Sequence, residues 1–198
     1  MPSNRPLKNR YFMMRHGQSL ANEAGLIVSD PKNGVEGYGL SDKGKQQVQE
    51  SVKYAQEIHR LDADLLIVSS DFKRCKETAE LVSAALGTAN VELEPRLRER
   101  FFGTLELGPN TGYQQVWEQD EVNDQRGAFG AESAQDVLNR GLSVIHDLEE
   151  QFKDETILLV SHGDTLQILS TAFDGRNPGY HRDLPLLETA EIRPLSVD

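Results

Sequence analysis

The stretch YFMMRHG, residues 11–17, is a short apolar run that leads into an arginine, a histidine and a glycine. The stretch TILLVSHG, residues 156–163, is a second apolar run that leads into a histidine and a glycine. Apolar runs of this length without alternation are typical of strands buried on both faces. Each run therefore predicts a buried strand, with His16 at the end of one and His162 at the end of the other.

Further strands are predicted at 65–68, 91–93 and 188–192, and apolar residues recur at helical spacing between the strands. Helices are predicted from Ser41 as N-cap, up to Gly87 as stop, over 132–152, and after Gly163. This order favours a three-layer α/β fold, with a mostly parallel central sheet and helices on both faces. The segment 94–130 shows only weak periodicity, and irregular stretches of that length are usually functional. No linker or repeat divides the chain, so a single domain is predicted over 1–198.

The charge and composition exclude several classes of function. The formal net charge is −11, which disfavours nucleic acid and acidic membrane surfaces as partners. No apolar run has the roughly 20 residues of a membrane span. The only cysteine is Cys75, which excludes intrachain disulfides and multi-cysteine zinc sites and suits a reducing compartment. We expect a cytoplasmic protein, and the sequence leaves a homodimer open.

Polar residues at three strand ends indicate an anion site. Ligands of such sheets bind beyond the carboxyl ends of the strands, where His16, His162 and the segment 69–71 should meet. A neutral imidazole can attack phosphorus when positive groups offset the charge on the phosphoryl oxygens. Arg15 and Arg74 can supply that charge, and His162 could add more if it is protonated. Such chemistry requires no metal and no cofactor, and its substrate is a small phosphorylated molecule.

Several motifs carry a resemblance to a known family. RHGQSLAN, residues 15–22, resembles the R-H-G-x-S-x-x-N signature of the histidine phosphatase superfamily, which includes cofactor-dependent phosphoglycerate mutases and fructose-2,6-bisphosphatases. GLSDKG at 39–44, SSDFKRCKETA at 69–79 and LRERFFG at 97–103 are similar to later motifs of that family, in the same order. The Glu132-Ser133 pair and SHG at 161–163 complete the match, which covers residues 11–193.

The resemblance implies a role for each residue. His16 would become the phosphohistidine, while Arg15, Asn22, Arg74 and His162 surround the phosphoryl oxygens. Glu99 would protonate the leaving oxygen and then activate water, which makes His16, Glu99 and His162 the catalytic residues. Two of these residues also have simpler interpretations. Glu99 lies in a charged run, 96–100, that is a solvated face in most proteins, and Asn22 could cap a turn.

The alternatives within the family concern the acceptor of the phosphoryl group. The mutases carry a tyrosine where Phe102 stands here, and hold their substrate with extra basic residues from an insertion. Segment 108–130 offers only Arg126 as a basic residue. A phosphatase, a phosphoric monoester hydrolase with water as acceptor, is therefore favoured over a mutase. A non-catalytic binding or scaffold member would be expected to lack His16, Arg15 or His162.

Two further residues stay undecided from the sequence. Arg182, in the C-terminal loop, could reach the site, and Glu106 is the second candidate for the acid in the irregular segment.

Overall fold

The computed structural model describes residues 6–89 and 91–195. The five strands within these residues form one sheet, and they are β1 Arg10–Arg15, β2 Leu66–Ser69, β3 Val91–Leu93, β4 Thr156–Ser161 and β5 Ile192–Pro194. Their order across the sheet is β3-β2-β4-β1-β5. The first four run parallel, while β5 pairs antiparallel with β1. The mostly parallel sheet predicted from the sequence is confirmed.

Helices connect these strands. In the described residues they are α1 Leu20–Ala24, α2 Pro31–Gly34, α3 Asp42–His59, α4 Lys73–Leu86, α5 Tyr113–Val122, α6 Ala134–Gln151 and α7 Gly163–Asp174. Short 3-10 turns occupy Pro95–Leu97, Gly103–Leu105, Asn110–Gly112, Ala128–Gly130 and Pro178–Asp183. The predicted caps are confirmed, since the Ser41 hydroxyl accepts from Gly44 N at 3.1 Å and Gly87 ends α4 with φ 76°. No helix in the described part of the chain is long and apolar enough to cross a membrane.

Helices cover both faces of the sheet, which explains the continuous apolar strands. In β1, Tyr11 and Met13 pack in the core beneath α6 and α7. Phe12 and Met14 point to the opposite face and pack with α3 and α4. Successive side chains of a strand alternate between faces, so a strand covered twice must be apolar at every position.

Two sequence predictions are wrong in detail. The last strand is Ile192–Pro194 rather than 188–192, because the chain still turns at Ala190, whose φ is 64°. The segment 94–130 is not wholly irregular, since it contains the ten-residue helix α5. Asp120 lies on the buried side of α5, where it pairs with Arg100. A carboxylate at a buried helical position interrupts the apolar period that would have indicated the helix.

Candidate active site

The carboxyl ends of three parallel strands meet at one edge of the sheet. His16 follows β1, Ser70 follows β2, and His162 follows β4. Backbone hydrogen bonds hold the ends together, since His16 N donates to Ser161 O at 3.0 Å and Ser70 N donates to Val160 O at 2.9 Å. The two imidazole rings lie with centroids 5.2 Å apart at an interplanar angle of 66°, in a T-shaped arrangement. The convergence expected from the sequence is therefore present.

The hydrogen bonds of His16 leave one ring nitrogen as an acceptor. Its Nδ1 lies 2.7 Å from the Gly17 carbonyl, which can only accept, so Nδ1 carries the proton. The lone pair is then on Nε2, which accepts from Arg74 Nε at 3.0 Å. Burial lowers the pKa of His16 well below its usual value, and the positive charges of Arg74 and Arg15 lower it further. The imidazole is neutral at neutral pH, as a nucleophile must be.

Arg15 and Arg74 each direct an unused N–H group into the buried site. Arg74 Nη2 donates to Val28 O at 3.0 Å and Arg15 Nη1 donates to Leu187 O at 2.8 Å. Arg15 Nε and Arg74 Nη1 are buried and have no hydrogen-bond partner among the described residues. Buried polar groups without a partner are rare in folded proteins, and guanidinium N–H groups are strong donors to phosphate oxygens. These two atoms indicate an anion-binding site.

His162 packs against the ring of His16 and is completely buried. Its Nε2 is 3.0 Å from Ser70 Oγ, and its Nδ1 faces Glu99 Oε2 at 4.0 Å. Burial lowers its pKa well below the usual value, with further lowering by Arg74 and His16. The positive charge that His162 could have supplied is therefore absent from the free protein. What the ring can offer instead is a neutral N–H donor.

Glu99 is held at the cavity by its neighbours. Its Oε1 accepts from Arg100 N at 2.9 Å and lies 3.2 Å from Thr165 Oγ1. Burial raises the pKa of the carboxyl group, as does the nearby charge of Asp164, while Arg74 partly opposes the shift. A raised pKa keeps the proton on the group closer to neutrality, as a general acid requires.

The charged run around Glu99 is not a solvated face. Arg96 pairs with Glu94 and Asp147, Arg98 pairs with Asp71 at 2.6 Å, and Arg100 pairs with Asp120 at 2.6 Å, in every case through side-chain atoms. Arg100 is completely buried. These pairs anchor both sides of Glu99 and fix its backbone relative to β2, α5 and α6.

Asn22 combines the two interpretations that its sequence allowed. It caps the start of α1, where its Oδ1 accepts from Ser19 N and from Ser19 Oγ, both at 3.0 Å. The same residue lines the cavity next to His16. With Oδ1 used for the cap, its Nδ2 is the atom that can face a ligand.

A cavity of about 380 Å³ opens above these residues. Its wall contains five of the predicted site residues, namely Arg15, His16, Asn22, Arg74 and Glu99, while His162 lies behind them. The sequence did not predict the wall residues Tyr113, Trp117, Asp164, Leu186 and, except as an open question, Arg182. Helix α5, hidden in the segment 94–130, supplies both aromatic residues.

A buried network of charges supports this wall. Asp164 Oδ1 accepts from Trp117 Nε1 at 2.8 Å and from His181 Nε2 at 3.0 Å, and Oδ2 lies 3.4 Å from Arg100 Nη1. The positive charges of His181 and Arg100 lower the pKa of Asp164 despite the opposing effect of its burial. The HRD sequence at 181–183 thus contributes a histidine to the framework and an arginine to the cavity.

Glu106, the second candidate for the acid, and the single cysteine both have structural roles. Both carboxylate oxygens of Glu106 are occupied, since they accept from Ser29 Oγ at 2.6 Å and Asn33 Nδ2 at 2.9 Å, and the residue is not on the cavity wall. Cys75 is buried, and burial raises the pKa of its thiol. In the part of the chain that the structure describes, no group of three or more His, Cys, Asp or Glu residues is placed to hold a metal ion.

The chain is similar in sequence to several known proteins. The model of the histidine phosphatase superfamily (branch 1) matches residues 11–198. The chain is 31% identical to a glucosyl-3-phosphoglycerate phosphatase of Mycolicibacterium vanbaalenii, over 84% of this chain and 74% of that protein. It is 26% identical to a metal-independent phosphoserine phosphatase of Arabidopsis thaliana, over 79% of this chain but only 65% of the plant protein. A Salmonella paratyphi C protein named "Probable phosphoglycerate mutase GpmB" is 30% identical over 83% of this chain and 74% of its own length.

Solved structures share the fold. A mycobacterial glucosyl-3-phosphoglycerate phosphatase in complex with vanadate (VO3) superposes with a TM-score of 0.74 at 25% identity, covering 92% of this chain and 90% of the other. A protein named mycobacterial hydrolase 1 superposes with a TM-score of 0.76 at 23% identity, covering 92% of this chain and 86% of the other.

Proposed function

This chain belongs to the histidine phosphatase superfamily, and we propose that within it the protein is a phosphatase that hydrolyses a small phosphorylated metabolite through a phosphohistidine at His16. The observation that carries the proposal is the position of His16 Nε2, a lone-pair nitrogen that accepts from Arg74 Nε, next to two unpartnered guanidinium N–H groups, Arg15 Nε and Arg74 Nη1. A nucleophile beside orphaned donors is the arrangement that phosphoryl transfer needs.

In the first half-reaction, His16 Nε2 attacks phosphorus and the bond to the leaving oxygen breaks. Before the attack, Arg74 Nε must release His16 Nε2 and donate to a phosphoryl oxygen instead. Arg74 Nη1, which has no partner, can donate to a phosphoryl oxygen while Nη2 keeps its bond to Val28 O. Glu99 gives its proton to the leaving oxygen, so the alcohol departs neutral. Arg15, Arg74, Asn22 and the N–H of His162 share the charge that builds on the equatorial oxygens.

In the second half-reaction, water replaces the alcohol. The Glu99 carboxylate, now unprotonated, takes a proton from water as the oxygen attacks the phosphohistidine. The N–P bond breaks, its electron pair returns to His16 Nε2, and phosphate leaves. Because arginine side chains provide the charge stabilisation, we propose that the reaction is metal-independent. The name of the plant relative, a metal-independent phosphatase, supports this.

The mutases of this family hold their substrate with extra basic residues from an insertion in the segment that corresponds to 108–130 here. Arg126, the only basic residue of segment 108–130, is exposed and does not line the cavity. Phosphatase activity is therefore favoured over mutase activity. The presence of Arg15 and His16 on the cavity wall, with His162 packed behind them, also argues against a non-catalytic scaffold.

The volume of the cavity supports a small substrate, and the state of the single cysteine supports a cytoplasmic location. A cavity of about 380 Å³ is at the small end of ligand sites, which suits a metabolite rather than a phosphoprotein. The single cysteine, Cys75, is a free buried thiol, and this suits a cytoplasmic location.

The proposed function is tested by phosphate release. The wild-type protein and the His16→Ala variant are incubated with sugar phosphates, phosphoserine, phosphoglycerates, glucosyl-3-phosphoglycerate, nucleotides and a phosphopeptide. We expect release from small esters by the wild type alone. A coupled assay for interconversion of 3- and 2-phosphoglycerate runs in parallel. Interconversion faster than release would replace the phosphatase by a mutase.

A further inference from the structure

Arg182 lies on the cavity wall, where the reaction described above gives it no task. It belongs to the 3-10 turn Pro178–Asp183, which follows α7. Its guanidinium carbon lies 3.8 Å from the centroid of the Trp117 ring, the distance of a stacked cation–π pair. Its Nη1 donates to Gln167 Oε1. The side chain is thus directed into the cavity rather than out to solvent.

Both partners of Arg182 are themselves fixed. Gln167 is buried, and its Nε2 donates to Leu184 O at 2.7 Å, which turns Oε1 toward the arginine. Trp117 is fixed by its bond from Nε1 to Asp164. A cation held by a ring face and a buried amide has lost much of its freedom before any ligand arrives, and such preorganisation favours binding.

The three arginines of the cavity wall differ from six of the other nine arginines that the structure describes. Arg15, Arg74 and Arg182 form no salt bridge with any described residue. The described arginines that do pair with carboxylates are Arg96, Arg98, Arg100, Arg140, Arg176 and Arg193. In a chain with a net charge of −11, three unpaired arginines around one cavity indicate a site for more than one negative group.

Asp164, a carboxylate on the same wall, forms no salt bridge with Arg182. Its oxygens are already used by Trp117, His181 and Arg100. Partial burial lowers the pKa of Arg182, the charge of Asp164 opposes this only in part, and the neighbouring charge of Arg15 lowers the pKa further. A desolvated cation without a carboxylate partner is stabilised when an anion binds next to it.

We propose that Arg182 binds a second anionic group of the substrate, so that the enzyme prefers small phosphate monoesters that also carry a carboxylate or a second phosphate. This inference rests on the proposed function, in which Arg15 and Arg74 hold the phosphoryl group that is transferred. Arg182 then determines specificity and does not take part in the chemical step.

The test uses substrate pairs that differ in the second charge. 3-Phosphoglycerate is compared with glycerol 3-phosphate, and fructose 1,6-bisphosphate with fructose 6-phosphate. The wild-type enzyme should show a higher kcat/KM for 3-phosphoglycerate or for fructose 1,6-bisphosphate, the members with a second anionic group, than for the other member of the pair. The pair that responds shows whether the second group is a carboxylate or a phosphate. Charge-assisted hydrogen bonds of this kind correspond to about 10- to 100-fold in binding.

Arg182→Met keeps apolar packing on Trp117 but removes the charge. It should reduce that preference by about 10- to 100-fold, mainly through KM, because the contact exists in both ground and transition states. Arg182→Lys should retain part of the preference. Arg126→Met is the matched control, since it removes one exposed positive charge from the neighbouring segment and should keep the wild-type ratio.

The outcomes separate the two proposals. A wild-type enzyme that hydrolyses both members of each pair equally would overturn the inference and leave the proposed function standing, and this comparison needs no variant. Equal losses on both members in Arg182→Met, with an unchanged ratio, would also overturn it and make Arg182 a packing residue. A wild type that releases phosphate from no ester would overturn the proposed function and this inference with it.

Discussion

Replacing Glu99 by glutamine should separate substrates by the basicity of their leaving groups. Glutamine retains a carbonyl oxygen that can accept from Arg100 N, now 2.9 Å from Glu99 Oε1, so the local structure should persist. What disappears is the transferable proton of a carboxyl group whose pKa burial raises. An alkoxide leaving group needs that proton, whereas p-nitrophenolate hardly does.

General acid catalysis is typically worth about 10²–10⁴-fold, or about 3 to 5 kcal/mol of barrier. Phosphoryl transfer from glycerol 3-phosphate to Glu99→Gln should slow by that factor, and transfer from p-nitrophenyl phosphate by less than about tenfold. Dephosphorylation of His16 also uses Glu99, as a base, so steady-state rates would mix the two roles. The first turnover is therefore measured by rapid quench with enzyme in excess.

Glu106→Gln is the matched control, because it makes the same change in the same segment but away from the cavity. Its carboxylate holds Ser29 and Asn33, so the variant should keep the wild-type ratio of the two first-turnover rates even if its stability falls. Equal losses for both substrates in Glu99→Gln would refute the acid role. A changed ratio in Glu106→Gln would move that role to Glu106.

Three other predictions concern the charge, the buried histidines and the glycine of the first motif. Activity should survive excess EDTA because arginines stabilise the transferred group; loss of activity that zinc or magnesium restores would contradict this. The lowered pKa values of His16 and His162 mean that the unfolded chain binds protons that the folded one does not. The free energy of unfolding should therefore fall as pH drops below about 6.5, by up to about 1.4 kcal/mol per pH unit for each histidine. Urea unfolding should show a shallower fall for His16→Gln, and an identical slope would argue against a buried neutral His16. Gly17→Ala should lower both melting temperature and activity, because a Cβ there would lie 2.6 Å from Gly44 O; a wild-type melting curve would show that the turn has room.

The sequence predicts the centre of the sheet well because β1, β2 and β4 contain continuous apolar runs. The continuous runs before His16 and His162 occur only where both faces are covered, and that pattern also places the histidines at the strand ends. The edge strand β5 was misplaced because it has only three residues, one of them Pro194, and so carries no such run.

The outer half of the site was not predictable in the same way. Trp117 and Tyr113 come from α5, whose buried Asp120 conceals the helical period. Arg100 and Asp120 are 20 residues apart, and Asp164 lies a further 44 residues along the chain. Charges that far apart are brought together by tertiary packing, and no local pattern indicates which carboxylate an arginine will meet. The stacking of Arg182 on Trp117 could not be predicted from the sequence for the same reason.

The measurement that tests the central claim most directly is the trapping of a phosphoenzyme. A phosphate ester labelled with ³²P is mixed with the wild-type protein, with His16→Ala and with His162→Ala, and each reaction is quenched in base and in acid during turnover. We predict a base-stable, acid-labile label on the wild type that peptide mapping places on His16, and no label on His16→Ala. Label that persists in His16→Ala, or that survives acid, would contradict the assignment of His16 as the nucleophile.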